Sequence, residues 1–106
     1  MPKYMLTVTY TTEGIKGLMK DGGSKRRAAA RTLIESLGGK MESFYFTFGD
    51  TDAVVIADFP DQGAAAASSL TVAGSGAVRG KVTVLLTPEE IDQAVHKTGS
   101  YTPPGR

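Results

Sequence analysis

Residues 4–10 alternate, with Tyr4, Leu6, Val8 and Tyr10 on one side and Met5, Thr7 and Thr9 on the other. A period of two built from β-branched and aromatic side chains predicts a half-buried strand. The period then lengthens. Thr11 and Thr12 are placed to cap a helix in which Ile15, Leu18 and Met19 recur at helical spacing. Asp21-Gly22-Gly23 interrupts that helix, and Ser24 can cap a second piece. There Ala30, Leu33, Ile34 and Leu37 follow the i, i+3, i+4, i+7 rule of one apolar face. Gly38-Gly39 ends it, because glycine accepts the positive φ common at helix ends.

Residues 41–48 alternate again. Phe44, Phe46 and Phe48 share one face; Met41, Ser43, Tyr45 and Thr47 share the other. Only the turn Gly49-Asp50-Thr51-Asp52 separates this run from residues 53–57, so the two form an antiparallel hairpin. The run 53–57 is apolar on both faces, which places it inside a sheet. Pro60 closes it, and Asp61 can cap an alanine-rich helix over 62–73 that ends at Gly74-Ser75-Gly76. A fourth strand is predicted over 78–86. Val78, Val82, Val84 and Leu86 face one way; Arg79, Lys81, Thr83 and Leu85 face the other. Thr87-Pro88-Glu89-Glu90 is a capping box with proline at the first helical position, so a short C-terminal helix should run to about residue 97. Residues 98–106, with Pro103-Pro104-Gly105, read as a flexible tail.

The order β-α-β-β-α-β is the split βαβ arrangement of ferredoxin-like folds. Right-handed crossovers put both helices on one face of a four-stranded antiparallel sheet, an α+β domain over residues 1–97. Leu6, Val8, Phe44, Phe46, Val82 and Val84 are expected beneath the helices, with the three phenylalanines of the second strand a large part of the core. The opposite face mixes apolar side chains with hydroxyls and cations, among them Met5, Met41, Tyr45, Arg79, Lys81 and Leu85. It is too apolar for a fully hydrated sheet and too polar for a dry core. A second copy stacked on it about 10 Å away would cover it. The chain is therefore expected to form a homodimer or a higher oligomer.

Composition narrows this only a little. The chain has 106 residues, enough for one domain. Twelve Lys and Arg stand against 11 Asp and Glu, a net charge of +1 with no sustained basic stripe, so neither nucleic acid nor an acidic membrane is an expected partner. There is no cysteine, hence no disulfide and no thiolate chemistry. No basic segment followed by an apolar run opens the chain, and no run is long enough to span a bilayer, so the default expectation is cytoplasmic.

Candidate chemistry is sparse. Gly22-Gly23-Ser24-Lys25-Arg26-Arg27 enters a helix with three cations in its first turn, where Lys25 and Arg26 could hold a phosphate or carboxylate or simply pair with Asp21. The glycine spacing does not fit a phosphate-binding P-loop. Arg79 and Lys81 point to the same side of the sheet as Tyr45, which together suit an anionic or phenolic ligand, or else the rim of a dimer. Asp50 and Asp52 are read as turn residues rather than a catalytic pair. His96 is the only histidine and has no His or Cys companion, so no metal site is indicated.

The stretch from Leu37-Gly38-Gly39-Lys40 through Phe44-Tyr45-Phe46 and Gly49-Asp50-Thr51-Asp52 resembles the GYD family of small bacterial and archaeal domains. Lys25-Arg26-Arg27, Gly76-Ala77-Val78-Arg79 and Leu85-Leu86-Thr87-Pro88-Glu89-Glu90 also look like that family, so the likeness runs from residue 4 to about 95. Gly49 and Asp52 match the glycine and aspartate of the family name, while Thr51 stands where its tyrosine is expected. The resemblance implies the dimeric α/β-barrel superfamily, whose members include cofactor-free monooxygenases, haem enzymes and ligand-binding modules. It names no reaction and no cofactor for this chain. The leading expectation is an oligomeric accessory module with a small organic ligand between helices and sheet, where the alanine-rich helix leaves room over Phe44, Phe46 and Val82. The alternatives are a cofactor-independent oxygenase of aromatic substrates, using Tyr45, Arg79 and His96, and a structural or protein-interaction role.

Overall fold

The computed structural model describes residues 1–106. Its elements are β1 (Lys3–Tyr10), α1 (Thr12–Asp21), α2 (Gly23–Ser36), β2 (Lys40–Phe46), β3 (Ala53–Asp58), α3 (Gln62–Gly74), β4 (Val78–Leu85) and α4 (Pro88–Ala94). The helix starts follow from hydroxyl and carboxylate caps. Thr11 Oγ1 accepts the Gly14 amide at 3.2 Å, and Asp61 Oδ1 accepts the Ala64 amide at 2.8 Å. The break between α1 and α2 falls at Gly22, whose φ of +83° a side chain would resist.

The sheet order is β2-β3-β1-β4, every pair antiparallel. That order follows from the two crossovers: α1 and α2 carry the chain past the site of β3, and α3 carries it past β1. The result is the ferredoxin-like α+β fold expected from the alternation, with β3 inside the sheet. Lys3 ties its open face together, its ammonium donating to Glu42 Oε1 at 2.8 Å and Asp58 Oδ1 at 3.0 Å. These bonds hold the Lys3 proton and raise its pKa above the ordinary lysine value.

The core is centred elsewhere than the aromatic strand. Phe59, just past β3, is 0% exposed and meets the Tyr4 ring edge-on at 5.8 Å, with Ile34, Val55, Ala57 and Ala65 around the pair. Phe44 and Phe46 are half-buried and Phe48 is exposed, because β2 is an edge strand and the helices bear on the middle of the sheet. Phe48 also lies outside β2, at a φ of +48°, with its ring stacked on Phe46 at 5.7 Å.

Met41 is on the covered face, not the open one. The pairing of β2 with β3 shifts between Met41, opposite Ala57, and Ser43, opposite Ile56. This bulge at Glu42 reverses the alternation, and Met41 enters the core. Val84 shares a face with the core residues yet is half exposed, since it lies beyond the helical cover.

The C-terminal segment differs from everything before it. Helix α4 ends at Ala94, three residues short of the expected 97, although its capping box is complete. No residue of α4 is buried, and every residue from 86 to 102 is exposed. The molecule measures 56 × 33 × 22 Å with a radius of gyration of 16.8 Å, against about 13 Å for a compact domain of this length.

Candidate functional site

Small side chains on two helices leave a gap over the sheet. Ala29 and Ala30 of α2 face Ser68 and Val72 of α3 across a cavity of about 140 Å³, floored by Leu6, Val8, Phe44 and Val55. Twelve of its 14 lining residues are hydrophobic, so water gains few hydrogen bonds there. Ser68, at the α3 wall, is satisfied within its own helix, its Oγ donating to the Ala65 carbonyl at 2.7 Å. The space lies over Phe44; Phe46 and Val82 do not line it.

Arg26 is the cavity's only charged residue and Tyr10 its only phenol. Arg26 Nη1 stands 3.7 Å from Asp21 Oδ2, a loose pairing that leaves guanidinium donors free. Burial raises the Tyr10 pKa above the ordinary phenol value, with the nearby Asp52 charge adding to it and Arg26 opposing it. The Tyr10 amide is fixed separately, donating to Asp52 Oδ2 at 2.8 Å. One apolar chamber thus carries one cation and one neutral phenol on its lining.

The candidate residues named from sequence are dispersed over both faces. Arg26 lines the cavity, while Lys25, on the same turn, reaches outward to within 3.8 Å of Asp21. Arg79 and Lys81 line a polar groove on the open face with Thr7, Thr9 and Thr51. Tyr45 shares that face but sits on β2, at the far edge of the sheet from β4, and is 65% exposed. Two intervening strands put it roughly 14 Å from Arg79. His96 lies beyond α4 in the exposed C-terminal segment. The groups weighed for an oxygenase, Tyr45, Arg79 and His96, are therefore not assembled at one place. No three His, Asp or Glu side chains are grouped to hold a metal ion, and no helix is long and apolar enough to cross a membrane.

Periodicity alone makes Tyr10 an ordinary strand residue. The alternation did put it on the covered face, and its position at the end of β1, beside the gap left by small helical residues, was the available signal.

The turn residues have a structural explanation. Asp52 joins the hairpin to β1 two ways, its carboxylate accepting the Tyr10 amide and its amide donating to the Val8 carbonyl, both at 2.8 Å. It closes the hairpin itself by accepting the Thr47 amide on its carbonyl at 2.9 Å. The Gly49 amide donates to the Thr51 carbonyl at 2.9 Å, and an added Cβ there would meet nothing within 4 Å. Thr51 borders the groove of Arg79 and Lys81, so a tyrosine at this position would bring its ring to the open face.

The fold and chamber define a ferredoxin-like α+β domain with a partly open apolar cleft between helices and sheet. The sequence profile of the GYD domain matches residues 4–95, and the chain belongs to that family. No curated protein matches it significantly.

Proposed function

We propose that this GYD domain is an oligomeric binding module for a small ring-sized organic molecule bearing one acidic or hydrogen-bond-accepting group. The cavity between α2, α3 and the sheet carries this reading. Its volume of about 140 Å³ is close to the ~150 Å³ of an apolar cavity that admits benzene. The apolar walls suit a ring or short branched chain, and Arg26 with the Tyr10 hydroxyl suits a carboxylate, phenolate or carbonyl at one end. Two copies joined through their open sheet faces would leave this chamber on the outer, helical side of each protomer.

Thermal unfolding with toluene, phenol and benzoate tests the reading. Ligand at a hundred times its Kd stabilises the folded state by about 2.7 kcal/mol, a rise in Tm on the order of 10 °C. Ala30→Phe, which fills the chamber, should abolish the shift for all three compounds. Arg26→Gln should reduce it for benzoate and spare toluene. If none of the three shifts the wild-type chain, the reading is wrong.

A further inference from the structure

We propose that residues 86–106 form an arm that seats on the open sheet face of a second copy of this chain, resting on the oligomer proposed above. A seven-residue helix is too short to persist alone in water, where about 12–15 residues are already marginal. Yet α4 is fully capped at its start, and none of its residues is buried. Each hydrogen bond outside helices and strands that involves residues 86–106 closes within that segment. Its apolar groups are in water: Leu86 at 57%, Ile91 at 45% and Val95 at 66% exposure.

At 100° per residue, Ile91, Ala94 and Val95 form one stripe of α4, bordered by Asp92 on one side and Glu90 on the other. None of Glu89, Glu90 and Asp92 has a cation within 4.0 Å. Complementary groups lie on the open face of the sheet. Arg79 and Lys81 stand there with no carboxylate within 4.0 Å, on the same face as the half-buried Met5 and, at the far end of β4, Leu85. Opposite charge beside matched apolar stripes favours the arm on this face and disfavours arm against arm, where three carboxylates would meet three others.

Four strands at ~4.8 Å spacing and ~3.3 Å per residue give the sheet face a projected plane of roughly 450 Å². An arm of 21 residues at its edge adds contact toward the ~800 Å² of accessible surface that a stable dimer ordinarily buries per partner. Association then has two parts, a central sheet contact and a flanking strap that exchanges between copies.

Sedimentation velocity on the full chain, on a chain ending at Leu86, and on Ile91→Asp/Val95→Asp tests the inference. The altered residues are exposed and none belongs to the core, so each variant should fold like the parent. Both alterations should raise the dimer Kd at least tenfold. Asp92→Lys and Lys81→Glu should each raise it about fivefold, and the two combined in one chain should bring it back. Amide exchange in α4 should slow as concentration rises through the Kd. Unchanged association after truncation overturns the arm and leaves the oligomer standing. Concentration-independent protection of α4 overturns it in favour of a fold-back onto its own body. Failure of the charge swap to restore association overturns the seat on Arg79 and Lys81. A full chain that stays monomeric throughout overturns both this inference and the oligomer.

Discussion

The two faces of one sheet are made by the same strands and differ in how far the chain completes them. On the covered face, Tyr4, Val55, Ala57 and Phe59 are closed over by helices, and what space remains is a partly open apolar cleft. On the open face, Met5, Val54, Ile56 and Leu85 are only half-buried, and Arg79 and Lys81 have no anion. Alternation within a strand thus separates two tasks. One set of side chains holds the fold and shapes a pocket, while the other stays uncovered in the single chain.

The strongest way to break this comparison is through the covered face. Phe59→Ala removes the largest fully buried side chain and should cost about 3–5 kcal/mol, measured by denaturant unfolding. A cost under 1 kcal/mol would mean that the aromatic edge strand, and not Phe59, anchors the core. Next in size is Asp52→Ala. It strips the Tyr10 amide of its acceptor and should destabilise by about 1–3 kcal/mol, while Gly49→Ala, with open space around its Cβ, should cost far less. Equal effects would show that the family's turn glycine has a demand the backbone does not reveal.

Much of this was legible in the strand periods and the caps. Thr11, Asp61 and Thr87 each start the helix expected of them, because a cap is a local hydrogen bond readable within four residues. The element order then gave the sheet. What alternation could not convey was the bulge at Glu42, since one inserted residue reverses every side chain on its far side; Met41 was misplaced for that reason. Nor could it weigh Phe59, which stands alone before Pro60 and outside any run. The candidate site split for a related reason. Tyr45, Arg79 and Lys81 do share a face, but facing says nothing of strand order, and the crossovers set β2 and β4 at opposite edges. Arg26 was flagged for its charge, whereas its relation to Tyr10 depends on where α2 crosses the sheet.

The open face sharpens the comparison from the other side. Ile56→Lys lies on the central strand, opposite Met5 and Ser43, away from the helices. It should lower the unfolding free energy of the separated chain by only about 1 kcal/mol, well below the effect of Phe59→Ala. In sedimentation it should nevertheless weaken self-association at least tenfold. A mutant that unfolds readily but still associates would reverse the roles assigned to the two faces.

The smallest expected effect is a pH dependence carried by Tyr10 at the cavity. Burial, the largest cause, and the nearby Asp52 raise its pKa in the folded chain, while Arg26 pulls it down. A phenol that ionises later when folded contributes stability that is complete below the unfolded value near 10 and is lost as pH climbs through the folded value. Stability should therefore fall on the alkaline side of pH 10, and Tyr10→Phe should flatten that fall. Arg26→Gln should steepen it, because the ionised phenol would lose its neighbouring cation. The ultraviolet titration should lose in Tyr10→Phe the late component that Tyr10 contributes. Benzoate in the chamber should delay it further, since a bound carboxylate would occupy Arg26 and repel a second negative charge. An unchanged Tyr10 titration with benzoate bound would move the ligand's acidic group away from Arg26, and with it the polar end of the proposed site.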